Sequence, residues 1–455
     1  MVALGALLAP LLATLVPAVA AGGRPRLELV ELAPGVPLVF ELEPLGLVYA
    51  LVAASLWPVT ALYGVGYLRG HHEHHQTRFF VFFSASISAA LGIAFAGNLA
   101  TLFVFYEVLS LSTWPLVTHH QDEEARRAGR VYLGILMSTS IGLLLLAIVW
   151  TWSATGELAF RPGGILDGHV DDGLLPVLLG LYAFGAAKAG LMPVHRWLPN
   201  AMVAPTPVSA LLHAVAVVKA GVFTILKVVI YVFGLDLLTR TGASIWLMWA
   251  AAFTILAASL VALTKDHLKE RLAYSTIGQL AYIVLGAALA TPDGLLGGGL
   301  HIVMHAAGKI TLFFCAGAIM VATHRKKVSE LVGLGRYMPW TFAAFFVGSL
   351  SVIGLPPAGG SWSKWFLGTG ALQAHQPALV AVLMISSLLN IAYLMDVVGK
   401  AFFLPPPDTT VRAGYREAST LTLVPPLITA GLSLLLFLGG AQVVELLRPV
   451  VGGVP

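Results

Sequence analysis

The chain has 455 residues, of which 58% are hydrophobic and 11% charged, with a formal net charge of +4. A soluble protein carries about 25% charged residues, so this composition excludes a string of soluble domains and points to an all-α polytopic membrane protein. The basic surplus sits in short connections between apolar runs and gives no footing for nucleic acid, and the single cysteine, Cys315, excludes an internal disulfide, an iron–sulfur ligand set and a cysteine zinc site.

Apolar runs long enough to span about 30 Å of hydrocarbon predict thirteen transmembrane helices. They lie near 2–21, 44–68, 79–97, 99–118, 130–152, 174–192, 206–233, 243–264, 271–290, 298–321, 338–357, 377–403 and 420–446. The first run has small residues at Ala18–Ala20 that would suit signal-peptide cleavage, but it lacks a basic n-region and is read as a retained helix. Residues 24–43 alternate around Pro34-Gly35 and predict a small extraplanar hairpin, and 154–173 form a polar loop with Glu157, Asp167, Asp171 and Asp172. No glycine-rich nucleotide loop follows a strand, and no soluble run is long enough for a second domain. No cofactor is expected, and no redox chemistry by this chain alone.

Basic residues in short loops set orientation. The even-numbered loops hold fifteen: Arg69, Arg78, Arg126, Arg127, Arg130, Arg196, Lys265, Lys269, Arg271, Arg325, Lys326, Lys327, Arg336, Arg412 and Arg416. The odd-numbered loops hold Arg24, Arg26, Arg161 and Arg240. The even loops are therefore expected in the cytoplasm, with the N-terminus inside, the C-terminus outside and the chain in the inner (plasma) membrane.

Two stretches interrupt the helical pattern. In Leu181–Lys219, Lys188 lies in an apolar run broken by Pro193, Pro199, Pro205 and Pro207, and a second apolar helix then carries His213 and Lys219. In Val352–Phe366, Pro356, Pro357, Gly359 and Gly360 end one segment and Lys364 follows. Broken backbone at membrane depth is tolerated only within protein or along a wet cavity, and an intramembrane charge is by default a functional-site hypothesis. Lys364 lies 176 residues and five helices after Lys188. An odd number of helices reverses the direction of entry, so helices 3–7 and 8–12 are expected to form an inverted pair. The segments are 1–78 for the N-terminal helices and hairpin, 79–233 and 243–403 for the two repeats, and 404–455 for the C-terminal loop and helix.

Other ionisable residues fall inside the spans. Glu107 lies mid-helix in FVFYEVLSLSTWPLV, where a nearby Lys188 would keep both groups charged; the bland account is a structural ion pair. His301, His305 and Lys309 recur every four residues and share a helix face. They suit a protonatable relay, a pair of packed core histidines, or a metal site that lacks the HExxH glutamate and has a repelling lysine one turn on. His213 reads as a hydrogen-bonded packing residue as readily as a relay member. Lys227 and Lys400 lie toward helix ends, where snorkelling accounts for a lysine, and Asp396 and Lys400 are spaced as a local pair or an exit path. The His71–His75 loop, HHEHH, looks like a metal tract but is read as a solvated turn between Arg69 and Arg78.

The stretches FVFYEVLSLSTWPLVTHH, KAGLMPVHRWLPNAMVAPTPVSALLHAVAVVKAGVF, LKERLAYSTIGQLAYIVLG and GLPPAGGSWSKWF together resemble the antiporter-like family over about residues 44–403. That family comprises subunits of Mrp-type multisubunit cation/proton antiporters, of respiratory complex I and of membrane-bound hydrogenases; SELVGLGRYMPWTFAAF and LNIAYLMDVVGKAFF are most similar to the Mrp D-type and hydrogenase subunits. The resemblance implies a proton relay of Glu107, Lys188, Lys219, His301, His305, Lys309 and Lys364; His213, Asp396 and Lys400 are further candidates on their own positions, and the resemblance assigns Asp396 no role. It implies other membrane subunits as partners, with protons and a monovalent cation as cargo. It also implies fourteen helices with both ends outside, one more on the N-terminal side than counted here. Where the family often has Gly-Phe before the terminal lysine, this chain has Gly360-Ser361-Trp362. The expected function is proton translocation within a cation/proton antiporter, or alternatively within a redox-driven complex of the complex I or hydrogenase kind.

Overall fold

The computed structural model describes residues 2–407 and 414–451. Arg412, counted above among the basic loop residues, lies outside the described residues. The first predicted helix is two, α1 (Val2–Ala13) and α2 (Val16–Ala20). Pro17 has no N–H to continue the ladder. The hairpin follows as expected, β1 (Arg26–Ala33) pairing antiparallel with β2 (Val36–Glu41), Arg26 opposite Glu41 and Gly35 in the turn at φ +76°.

The next helices are α3 (Pro44–Gly70), α4 (Gln76–Ala94) and α5 (Leu99–Val117), then α6 (Glu123–Thr139), which runs through a π segment at Ser140–Leu144 into α7 (Leu145–Thr155). α5 and α6 start at side-chain caps, as Asn98 accepts from the Thr101 amide and Asp122 from the Ala125 amide, both at 2.7 Å. α8 (Leu175–Gly185) stops well short of the expected 192 and gives way to irregular turns and the short α9 (Trp197–Asn200). The chain resumes at α10 (Thr206–Ala210), passes a π segment at Leu211–Val215, and continues as α11 (Val217–Val228) to a second π segment at Val229–Phe233.

After α12 (Leu235–Thr241) come α13 (Ile245–Thr264), α14 (Leu268–Ala288), α15 (Pro292–Thr323) and α16 (Pro339–Ile353). α16 ends four residues before the expected 357, because Gly354 turns into the left-handed region at φ +88°. α17 (Gly360–Gln373) is a helix that the apolar-run count leaves out, since fourteen residues reach only about 21 Å. α18 (Pro377–Phe403) matches its expected bounds, and the last predicted run divides at Gly439 into α19 (Thr420–Leu438) and α20 (Gly440–Val451).

Among the described residues, nine helices are long and apolar enough to cross a membrane, and three shorter apolar ones are Gly5–Ala20, Leu175–Gly185 and Pro339–Ile353. Large apolar side chains such as Trp114, Leu146, Phe253 and Leu388 face outward. The apolar windows of Thr206–Phe233 and of α15 are wholly buried. These two central elements carry most of the candidate residues.

Candidate functional site

α15 puts His301, His305 and Lys309 on one face, each at most 2% exposed. The two imidazoles stack, centroids 5.7 Å apart and 27° from parallel. His301 Nδ1 lies 2.8 Å from the Ser363 hydroxyl of α17. His305 Nδ1 lies 2.9 Å from Lys219 Nζ of α11. An ammonium only donates, so this ring nitrogen accepts and the ring proton sits on Nε2. The Nε2 atoms of both histidines have no partner.

Lys309 donates to the Ser275 hydroxyl of α14 at 2.7 Å, and the Tyr393 hydroxyl of α18 donates to the same oxygen at 2.8 Å and also contacts Asn390. One turn further along α18, Asp396 accepts from Arg271 at 2.9 Å and from Lys400 at 3.0 Å. The spaced pair Asp396–Lys400 is therefore a contact, with Arg271 as a third member. Arg271, placed in a loop by the sequence count, has a side chain only 7% exposed.

Lys188 sits in a single tight turn, Ala187–Ala189, between α8 and Gly190 at φ +70°. Its ammonium donates to the Tyr106 carbonyl at 2.9 Å and the Ser110 hydroxyl at 2.6 Å, and lies 3.2 Å from the centre of the Tyr106 ring. The Lys188 turn is pressed against α11 at Gly221, where an added Cβ would run into the backbone of Lys188 and Ala189. Lys364, in the first turn of α17, donates to the Ile353 carbonyl at 2.7 Å and the Ser387 hydroxyl at 2.9 Å, 4.8 Å from the Tyr282 ring centre. Its stem packs on Gly354, which must lack a side chain for that reason as well as for its φ. The departure at Gly360-Ser361-Trp362 has a local role, since the Trp362 indole donates to the Phe437 carbonyl at 2.8 Å and ties α17 to α19.

Three expectations need correction. Glu107 makes no ion pair with Lys188; both its carboxylate oxygens are buried without a hydrogen-bond partner. Tyr106 and Ser110 occupy the α5 surface toward Lys188, and Glu107 is one residue, about 100°, further round the helix. His213 is not hydrogen-bonded either: its ring packs 4.7 Å from the Phe313 ring and both nitrogens lack partners. Lys227 does not snorkel. It is 1% exposed, bonds the Ala96 carbonyl at 2.6 Å and lies 3.5 Å from Glu43. Glu43 was missed altogether. It caps α3 through the amides of Leu45 and Gly46 and accepts from the Tyr231 hydroxyl at 3.0 Å. Its position just before Pro44 at a helix start was the available signal.

Fold and site together define a helical membrane protein whose centre holds buried lysines, histidines and hydroxyls. The family described as NADH:quinone oxidoreductase/Mrp antiporter, TM, matches residues 96–390, and the chain belongs to that family. It is 32% identical over 387 residues to NADH-quinone oxidoreductase subunit N of Desulforudis audaxviator, covering 83% of this chain and 75% of that one. It is 31% identical over 432 residues to hydrogenase-4 component B of Escherichia coli, covering 89% of this chain. The chain spans only 63% of that second relative's length. The fold aligns with a chain of the Mrp complex from a Dietzia species at a TM-score of 0.87 and 23% identity, over 99% of this chain and 91% of that chain.

Proposed function

We propose that the chain is the proton-translocating membrane subunit of a multisubunit cation/proton antiporter of the Mrp type. The observation that carries this reading is the 2.9 Å contact of Lys219 with His305, which joins α11 to the His301–Lys309 face wholly inside the protein. Protons would pass among Lys188, Lys219, the α15 face and Lys364, with Glu107 biasing Lys188 from a distance and Asp396 and Lys400 at an exit beyond Tyr393. Partners would be other membrane subunits, and the cargo protons with a monovalent cation. The chain would lie in the inner membrane with thirteen spans, N-terminus inside and C-terminus outside.

Within this reading, 79–233 and 243–403 are inverted repeats, preceded by 1–78 and followed by 404–455. The lysine geometry supports the pairing. Lys188 lies over Tyr106 and Lys364 over Tyr282, each ammonium also on a hydroxyl and a carbonyl. Both lysines come 82 residues after their tyrosine. In a second reading the chain pumps protons for a redox-driven complex, favoured by its identity to a quinone oxidoreductase subunit and a hydrogenase component. The test is Lys188→Ala in the assembled complex, which should bring cation-dependent proton movement to background; a native rate would sink the scheme. Iron–sulfur signals in the purified native complex would decide for the second reading.

A further inference from the structure

The relay leaves the His71–His75 loop unused. Its central Glu73 has a side chain only 8% exposed, although the loop lies outside every helix. Its carboxylate sits between imidazoles from two different loops, 3.3 Å from His71 Nδ1 and 3.6 Å from His120 Nδ1. His71 is held by stacking on Tyr67, centroids 5.7 Å apart and 2° from parallel. His119 donates to the His74 carbonyl at 3.1 Å and Arg78 to the His119 carbonyl at 2.7 Å, so the two loops are tied together.

This cluster forms part of the wall of a cavity of about 610 Å³. The walls come from five connections, all of them on the face that carries the basic loops. Lys269 lines the cavity with its Nζ donating to the Ala204 carbonyl at 2.6 Å. Thr206, Ala316 and Met320 also line it. Positions 305, 309, 313, 316 and 320 follow one stripe of α15, so the cavity lies in line with the relay face, with Ala316 about 10 Å along the axis from Lys309. His213, two turns beyond Thr206 and packed on Phe313, stands beside that gap with both ring nitrogens unpartnered.

We propose that Glu73, held between His71 and His120, takes up protons at the mouth of this cavity and passes them by way of Lys269 and His213 to Lys309. The carboxylate accepts a proton from hydronium, returning water, and gives it to Lys269 in its neutral amine form, which hands it on to an unpartnered nitrogen of His213; His213 gives it to Lys309 once that lysine has released its own proton. The inference rests on the transport reading above and assigns its intake.

The test uses the complete complex in its own membranes, following cation-driven proton movement. Glu73→Gln keeps the shape but cannot take a proton, and should slow movement about tenfold, equivalent to ~1.4 kcal/mol, while Glu73→Asp stays near the native rate. A native rate for Glu73→Gln at native abundance overturns the proposal. Should Glu73→Gln fail to accumulate, Asn200→Cys on the cavity wall decides. A charged, membrane-impermeant thiol reagent should stop its transport, Cys315 being fully buried and silent. Transport unchanged by that label overturns the proposal equally. A wild-type complex that moves no protons defeats the transport reading itself, and this intake with it.

Discussion

In the proposed relay, Ser275 is the one side chain shared by Lys309 and Tyr393. Its one oxygen accepts from the Lys309 ammonium and from the Tyr393 hydroxyl, using both lone pairs. Ser275→Ala deletes that oxygen and little else, so packing around this buried side chain is nearly conserved. A hydrogen bond to a charged group contributes about 1.5–3 kcal/mol, and Lys309 has no other side-chain partner to replace it. At ~1.4 kcal/mol per factor of ten, the protonated relay becomes about ten- to a hundredfold less populated. Cation-driven proton movement in membranes carrying the complex should fall by that factor at unchanged protein level. Ser275→Thr restores a hydroxyl and should restore the rate. Tyr393→Phe leaves the Lys309 contact in place and removes neutral bonds to Ser275 and Asn390, about 0.5–1.5 kcal/mol each, so proton movement should fall less than in Ser275→Ala. If Ser275→Ala runs at the native rate, Lys309 is not loaded through this contact and the track is wrong at its centre.

Lys227→Met strands the Glu43 carboxylate in the interior, a loss of about 3–5 kcal/mol for a broken buried pair. Thermal unfolding of the purified protein should shift down, and adding Glu43→Gln should recover most of the shift. Gly221→Ala forces α11 off the Lys188 turn, with an overpacking cost of about 1–3 kcal/mol; an unchanged melting temperature with native transport would contradict the close approach. Burial, with the Arg78 charge adding, pushes His119 down to about 4, against about 6.5 when unfolded. The unfolded chain therefore takes up this proton first, so stability is level above about pH 6.5 and falls as pH drops toward 4. Melts across that window should show the fall, and His119→Gln should remove part of it.

Cost alone singled out most of the buried lysines and histidines in the sequence. A lysine inside an apolar run has no cheap explanation, so Lys188, Lys219, Lys309 and Lys364 stood out, and the four-residue spacing put His301 and His305 with them. The hairpin and the bounds of α18 were equally plain, because alternation around Pro-Gly and a clean apolar run each leave one reading. What failed was partner choice. Glu107 and Lys188 looked like a pair because they are opposite in charge, but direction around α5 decides, and direction across two helices is not written in either. Lys227 was misread because a lysine near a helix end can reach water only if that end does, and here the end is sealed by Glu43 and Tyr231. α17 escaped because a fourteen-residue apolar run is too short to span.

The partners found in the centre bear on how such a relay could be controlled. Lys188, Lys309 and Lys364 rest on hydroxyls and carbonyls, and Lys219 on an imidazole. Among the described residues, none has a carboxylate within ion-pair distance. Two positive charges at the 2.9 Å of Lys219 and His305 would repel by ~6 kcal/mol at an effective dielectric constant of 20. In the proposed relay the pair would therefore carry one positive charge but not two, and a proton arriving at His305 would displace the one on Lys219. Neutral partners let each lysine release its proton without leaving a buried anion behind, which an ion-paired lysine could not do. In such a track movement is driven by repulsion between neighbouring sites. In that reading the carboxylate of Glu107, which has no hydrogen-bond partner among the described residues, would shift where the first charge sits.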